Sequence, residues 1–224
     1  VLRRAGSTSD LPGAAAAYFA EHPNGAAGNG ALMRTAPVAL AHLGDDAAIA
    51  AAARAVAALT HADPLAGDSC VLWCIAIDRA IRHGRLDGVH DGLALIPTER
   101  RVFWGDAIVQ AEQRPPRAFT GNGFTVTALQ AAHAAIIQTP IPDQMPAQHL
   151  QDALREAVRI GNDTDTVAAI AGMVLGARWG ASAVPFAWRR IIHGWPGLDA
   201  ADLVRLAILT ARGGQPTDNG WPSA

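Results

Sequence analysis

Residues 66–82 read AGDSCVLWCIAIDRAIR and run into His83 and Gly84. Leu72, Cys74, Ile75, Ile77, Ala80 and Ile81 fall mostly on faces three or four residues apart, the spacing of a helix rather than a strand. This predicts a helix over Ala66–Arg82, with Gly84 as its C-terminal stop because glycine tolerates the left-handed conformation there. The same signals recur on both sides. Asp45 and Asp46 open an Ala-rich segment to about Leu59, where carboxylates suit the first turn. Thr98 is placed to cap a segment carrying Val102, Phe103, Ile108 and Val109. Further helices are expected over Phe124–Gln138, Pro142–Ile160, Thr164–Trp179 and Leu198–Ala211, with Pro185 in the first turn of a short one. Strand-like alternation occurs only at Phe124–Thr127, immediately before a helical pattern. Eight or so helices joined by short Gly- and Pro-containing links indicate an all-α domain.

The 224 residues, 23.3 kDa in mass, suffice for one large domain with a substantial core, expected over residues 1–212. Residues 213–224, GGQPTDNGWPSA, read as a loose tail. A formal charge of −2 and a pI of about 6.5 exclude binding to nucleic acid by phosphate neutralisation. All 18 basic residues are Arg and 49 residues are Ala, which we read as coding bias. Aromatics make up only 5%, so the core must come from aliphatic and small side chains on closely approaching helices. Cys70 and Cys74 lie four apart in an apolar run and are expected to be reduced and buried, as in a cytoplasmic protein. The longest apolar stretch, Val167–Ala177, ends at Arg178 and is shorter than the roughly 20 residues of a membrane span.

Three segments carry candidate chemistry. In Gly161-Asn162-Asp163-Thr164-Asp165-Thr166, two carboxylates and a hydroxyl stand where a loop becomes a helix. Such oxygens suit a hard divalent cation. On spacing alone they better suit helix punctuation, with Asp163 or Thr164 as N-cap and Asp165 as a first-turn charge. Ala168, Gly172, Gly176 and Gly180 then recur four apart, which suggests a neighbouring backbone pressed close to that face. In Gly28-Asn29-Gly30-Ala31-Leu32-Met33-Arg34, small residues permit close approach of a ligand, and Arg34 suits either a phosphate or an internal carboxylate. A simple turn is the alternative. In Thr60-His61-Ala62-Asp63-Pro64, His61 is either a site residue or a gap filler beside a helix boundary. The other histidines are scattered. Gly67-Asp68-Ser69-Cys70 lacks the last glycine of a nucleophile elbow, which excludes that serine-hydrolase arrangement.

Taken in order, AGNGALMRTAPVAL, THADPLAGDSCVLW, GNGFTVTALQAA and GNDTDTVAAIAGMVLGARWG resemble the ADP-ribosylglycohydrolase family over roughly Ala26–Leu209. The resemblance implies a compact, orthogonal multi-helix bundle with a binuclear Mg²⁺ or Mn²⁺ centre. It implies hydrolysis of the glycosidic bond between ADP-ribose and a modified protein side chain, arginine first among the candidates. Asp163, Asp165 and Thr166 would then be metal ligands. Gly28, Asn29, Gly30, Met33 and Arg34 would lie against the ADP-ribose moiety, although Met33 and Arg34 also suit a supporting role behind the loop. His61 would stand near the diphosphate or the distal ribose. Partners would be an ADP-ribosylated protein or an ADP-ribose derivative, with neither nucleic acid nor membrane involved.

One part of the family pattern is missing. The N-terminal GD-plus-glutamate motif and the TDD-type cluster, which would supply the remaining metal ligands and a catalytic acid, do not occur. Gly44-Asp45-Asp46 follows the GNG motif instead of preceding it and reads better as a helix start. With Val1 as its first residue, the chain is expected to be the C-terminal major part of such an enzyme. A non-catalytic binder of ADP-ribose or a related nucleotide, or an inactive remnant, are the other readings.

Overall fold

The computed structural model describes residue 1 and residues 5–215. Among these described residues ten α-helices follow in chain order: α1 Leu11–Glu21, α2 Ala36–Ala41, α3 Asp46–Ala58, α4 Pro64–His83, α5 Thr98–Gln113, α6 Thr125–Ile137, α7 His149–Arg159, α8 Thr164–Trp179, α9 Phe186–Arg189 and α10 Ala200–Ala211. Short 3₁₀ turns join several of them. The only sheet among the described residues is a two-residue hairpin, β1 His193–Gly194 antiparallel to β2 Leu198–Asp199. The chain is all-α, as expected.

α4 is the hub, packed against α2, α3, α6, α8 and the 3₁₀ turn Asp91–Leu95. Its ends follow from local chemistry. The Asp63 carboxylate accepts a hydrogen bond from the Leu65 amide at 2.9 Å, and Pro64 fills the first turn, where no amide is needed. Gly84 closes the helix at φ +65°, its amide bonded to the Ala80 carbonyl. The run Cys70–Ala80 is buried apart from Arg79, so α4 lacks the single apolar stripe of a surface helix. Trp73 Nε1 donates to the Ile170 carbonyl at 2.9 Å and ties α4 to α8. Cys70 and Cys74 are free, and burial pushes their thiols up to about 11 and about 12. In α6, Ala128, Ala131, Ala132, Ala134 and Ala135 are all fully buried, and these small side chains let α4, α5, α7 and α8 approach it closely.

Several boundaries differ from the sequence reading. α1 and α2 were not anticipated, because their Ala-rich runs carry little apolar–polar periodicity. The helix expected over Pro142–Ile160 begins only at His149, after a 3₁₀ turn at Pro146–Gln148. Pro140, Pro142 and Pro146 lack the amides that an interior helix needs. Pro97, not Thr98, occupies the N-cap of α5, and Pro185 the N-cap of α9 rather than its first turn. The helix expected from Leu198 starts at Ala200. Asp199 caps it with hydrogen bonds from the Ala201 and Asp202 amides at 2.8 and 3.0 Å, and the Asp202 carboxylate accepts in turn from the Asp199 amide.

The glycine-faced stretch of α8 also differs. A Cβ at Gly172 would meet only Leu154 Cδ2 at 3.8 Å, and one at Gly176 would meet nothing within 4 Å. Gly180 ends the helix at a positive φ of +78°. No backbone presses on this face, so the spacing of four reflects no packing constraint at Gly176. The tail reading for residues 213–224 falls largely outside the described residues.

Candidate functional site

The entry into α8 is built from left-handed turns. Gly161 at φ +90° and Asn162 at φ +62° reverse the chain. Asn162 Nδ2 donates to the Thr120 carbonyl at 2.7 Å, which anchors the reversal. Asp163 occupies the N-cap position, yet its side chain accepts nothing from the amides of its own helix. Instead, Oδ2 accepts from Asn29 Nδ2 at 2.6 Å and Oδ1 accepts from Thr166 Oγ1 at 2.8 Å. Of the two readings of this carboxylate, the capping one is therefore not realised. The Asn29 hydrogen bond foremost, then that of Thr166, holds the Asp163 carboxyl below its ordinary value despite partial burial. Asp165 is exposed in the same first turn, and Thr166 Oγ1 also lies 4.0 Å from Met33 Sδ.

Asn29 reaches Asp163 because two GNG loops run side by side. Gly28 and Phe124 form an isolated antiparallel bridge, the Asn29 amide donates to the Gly123 carbonyl at 3.1 Å, and the Thr125 amide donates to the Ala27 carbonyl at 2.9 Å. Asn29 Nδ2 also donates to the Asn122 carbonyl at 2.8 Å. Asn122, only 1% exposed, grips the α8 entry from the other side. Its Nδ2 donates to the Gly161 carbonyl at 3.0 Å and its Oδ1 accepts from the Asp163 amide at 3.1 Å. The sequence reading did not single out Asn122. The available signal was the recurrence of GNG at 28–30 and 121–123, followed by Gly161-Asn162.

His61 meets the first GNG loop on its glycines. A Cβ at Gly30 would fall 3.1 Å from His61 Cε1, and one at Gly28 would fall 3.5 Å from Nε2, so the missing side chains leave room for the imidazole. His61 Nδ1 pairs with Thr60 Oγ1 at 2.8 Å. Burial foremost, and then the Arg34 charge, holds the His61 imidazole below its ordinary value against the opposing pull of Asp63, which keeps the ring neutral at pH 7. Among the described residues Arg34 meets no carboxylate, and its hydrogen bonds are those of a support behind the loop. It donates through Nη1 to the Gly30 carbonyl at 2.5 Å and through Nη2 to Thr60 Oγ1, so it fastens the loop to the His61 segment. Gly28, Arg34, Thr60 and His61 line one side of a cleft of about 560 Å³, a size suited to a small-molecule ligand.

Three distant segments thus meet at one loop, whose asparagine binds Asp163 and whose glycines rest on His61. Asp163, Asp165 and Thr166 offer only hard oxygen donors, and the Asp163 carboxylate is withheld from capping. This set fits one side of a Mg²⁺ or Mn²⁺ shell, while three such residues cannot complete an octahedron.

A family model described as ADP-ribosylglycohydrolase matches residues 2–217. Among curated proteins, the chain is 27% identical over 205 residues to the ADP-ribosylhydrolase ARH3 of Homo sapiens, covering 78% of this chain and 56% of that protein. It is 29% identical over 169 residues to the ADP-ribosyl-(dinitrogen reductase) glycohydrolase of Rhodospirillum rubrum, covering 75% of this chain and 52% of that one. It is 27% identical over 165 residues to the ADP-ribosylarginine hydrolase Tri1 of Pseudomonas putida (strain GB-1), covering 72% and 41%. The chain therefore spans about half the length of the curated relatives it matches. A solved ADP-ribosylglycohydrolase-related protein complex superposes with a TM-score of 0.67 at 24% identity, covering 96% of this chain and 71% of that one, and so shares the fold. With the family model matched along almost its whole length, the chain belongs to the ADP-ribosylglycohydrolase family.

Proposed function

We propose that the chain is part of a divalent-metal-dependent hydrolase that cleaves the glycosidic bond between ADP-ribose and a modified protein side chain, arginine first. The observation that carries this is the pairing of Asp163 with Asn29. A helix-entry carboxylate is turned away from its own amides and held toward the loop the family resemblance assigns to ADP-ribose. The relatives named as acting on ADP-ribosylated proteins or ADP-ribosylarginine support the substrate class.

Asp163, Asp165 and Thr166 would hold Mg²⁺ or Mn²⁺, one side of a binuclear pair. Such a cation supplies charge that orients sugar hydroxyls and lowers the pKa of a water. Asn29 and Asn122 keep Asp163 in place. Gly28, Gly30, Met33, Arg34 and His61 form the wall against ADP-ribose, where a neutral His61 can donate or accept a hydrogen bond without adding charge. Cleavage at the distal ribose passes through an oxocarbenium-like state, in which a precisely held sugar and water lower the barrier. The free, buried thiols of Cys70 and Cys74 support a reducing setting such as the cytoplasm. The single core built around α4, with α10 packed on α2 outside it, supports one domain through residue 212.

The test is release of ADP-ribose from ADP-ribosylated arginine, with the chain alone and with the chain joined to a family N-terminal acidic segment. Asp163→Asn with Asp165→Asn should abolish Mg²⁺-dependent turnover in whichever form is active. Unchanged turnover would show that these acids are not the ligands. A second reading, metal-independent binding of ADP-ribose without hydrolysis, is favoured by the cleft beside His61, whose lining does not include the acidic loop. Calorimetry with ADP-ribose, with and without Mg²⁺, separates the two.

A further inference from the structure

His90, Glu112 and His133 converge at a place the proposed hydrolase does not use. His90 precedes the 3₁₀ turn Asp91–Leu95, Glu112 stands in the last turn of α5, and His133 lies in the middle of α6. His90 Nε2 is 2.6 Å and His133 Nε2 is 3.2 Å from the same oxygen, Glu112 Oε1. All three donor atoms lie within 4.8 Å of one another. The imidazole planes cross at 77° with centroids 6.5 Å apart, so both rings aim their Nε2 edges at one point without stacking.

We propose that His90, Glu112 and His133 form a binding site for a divalent transition-metal ion, Zn²⁺ foremost, separate from the acidic loop.

The donor set selects the ion. Two imidazoles and one carboxylate suit Zn²⁺, Co²⁺ or Ni²⁺, whereas Mg²⁺ and Ca²⁺ favour all-oxygen shells. Geometry supports it. Ligands about 2.0–2.1 Å from a tetrahedral Zn²⁺ stand about 3.3 Å from one another. The His133–Glu112 separation already has that value, and the His90–Glu112 contact must open by less than about 1 Å. Burial divides the roles. His133 is 1% exposed and fixed within α6, while the side chains of His90 and Glu112 are 38% and 30% exposed. The site therefore has a rigid floor and an open side, where a water completes the four-coordinate shell.

The neighbouring carboxylate of Asp91 is already paired. Asp91, next to His90, is engaged by Arg79 Nε at 2.8 Å and by Arg85 Nη1 at 2.9 Å. His133 lies about 12 Å along α6 from Thr125, at the 1.5 Å rise of each helical residue, which sets the cluster apart from the GNG loops. A bound ion would pin the end of α5 to the middle of α6 and to the turn that packs on α4.

The experiment titrates Co²⁺ into the untagged chain after chelator treatment and follows visible absorption, because tetrahedral Co²⁺ with nitrogen ligands absorbs strongly. One equivalent of Co²⁺ should give the band, Zn²⁺ should displace it, and a large excess of Mg²⁺ should not. His90→Ala and Glu112→Gln, both at part-exposed positions, should each weaken Co²⁺ binding at least tenfold with the far-ultraviolet circular dichroism unchanged. Asp163→Asn should leave the band intact. Absence of the band in the unaltered chain, an equal band in His90→Ala and Glu112→Gln, or its loss in Asp163→Asn would each overturn the proposal.

Discussion

Asn122 and Asp163 are joined so that the asparagine side chain stands in for missing helix structure. Its Oδ1 accepts from the Asp163 amide at 3.1 Å, and its Nδ2 donates to the Gly161 carbonyl two residues earlier at 3.0 Å. An N-cap side chain ordinarily satisfies amides of its own helix. Here a residue 41 positions away in the chain holds the N-cap backbone, and the Asp163 carboxylate is left free to face Asn29 and Thr166.

Asn122→Ala should therefore loosen the α8 entry without unfolding the helices. Losing a buried partner of two backbone groups costs about 1–3 kcal/mol. We expect a matching loss in urea denaturation. Mn²⁺ binding, followed by calorimetry, should weaken at least tenfold. Mn²⁺ affinity equal to that of the unaltered chain would show that Asn122 does not position Asp163.

Asp68, fully buried in α4, is the shared anion of a second network. It accepts from Arg54 Nη1 at 2.5 Å, from Arg100 Nε at 2.5 Å and from Trp104 Nε1 at 3.3 Å. Breaking a buried ion pair costs about 3–5 kcal/mol, but Arg54 and Arg100 keep access to water, so Asp68→Asn should cost about 2–3 kcal/mol. The readout is the urea midpoint at pH 7. A change below about 0.5 kcal/mol, the range of ordinary surface substitutions, would count against this network as a stability determinant.

His149 makes stability fall in mild acid. Its Nδ1 accepts from Trp179 Nε1 at 3.1 Å, and indole can only donate, so Nε2 carries the proton that faces the Ile136 carbonyl at 3.0 Å. Burial foremost, with the Arg178 charge, holds the imidazole below its ordinary value. The Ile136 and Thr139 carbonyls and Asp152 pull the other way. The unfolded chain therefore takes up this proton at a higher pH than the folded one. The stability contribution is complete above about pH 6.5 and declines as pH falls from there toward the depressed folded value. Thermal unfolding between pH 7.5 and 5 should show a drop that His149→Gln reduces. Parallel curves for the two proteins would remove His149 from the acid response.

Local chemistry was legible from the residues alone. Gly84 marks the end of α4 because a left-handed stop acts within one turn of chain, whereas the start expected at Ala66 lies two residues beyond the one that the Asp63 cap and Pro64 set. Asp45 and the Ala-rich run after it mark α3 for the same reason. Where this failed, the local signal was weak or misread. The Ala-rich α1 and α2 lack a polar stripe, and the helix expected from Pro142 overlooked the amides that Pro142 and Pro146 cannot supply. The spacing of Gly172 and Gly176 looked like a packing constraint, yet no backbone lies against them.

The sequence by itself determined the helical class, the C-terminal stop of its longest helix and the three separate loops bearing Asn29, His61 and Asp163. Only the tertiary structure decided that these loops share one place, that Asn122 holds them together, and that His90, Glu112 and His133 meet on one oxygen. A cap or a turn is written into neighbouring residues by steric and hydrogen-bonding rules of short range. A contact such as Asn29 to Asp163, across 134 positions, depends on how the Ala-rich faces of α6 and its neighbours pack, and no local rule encodes that.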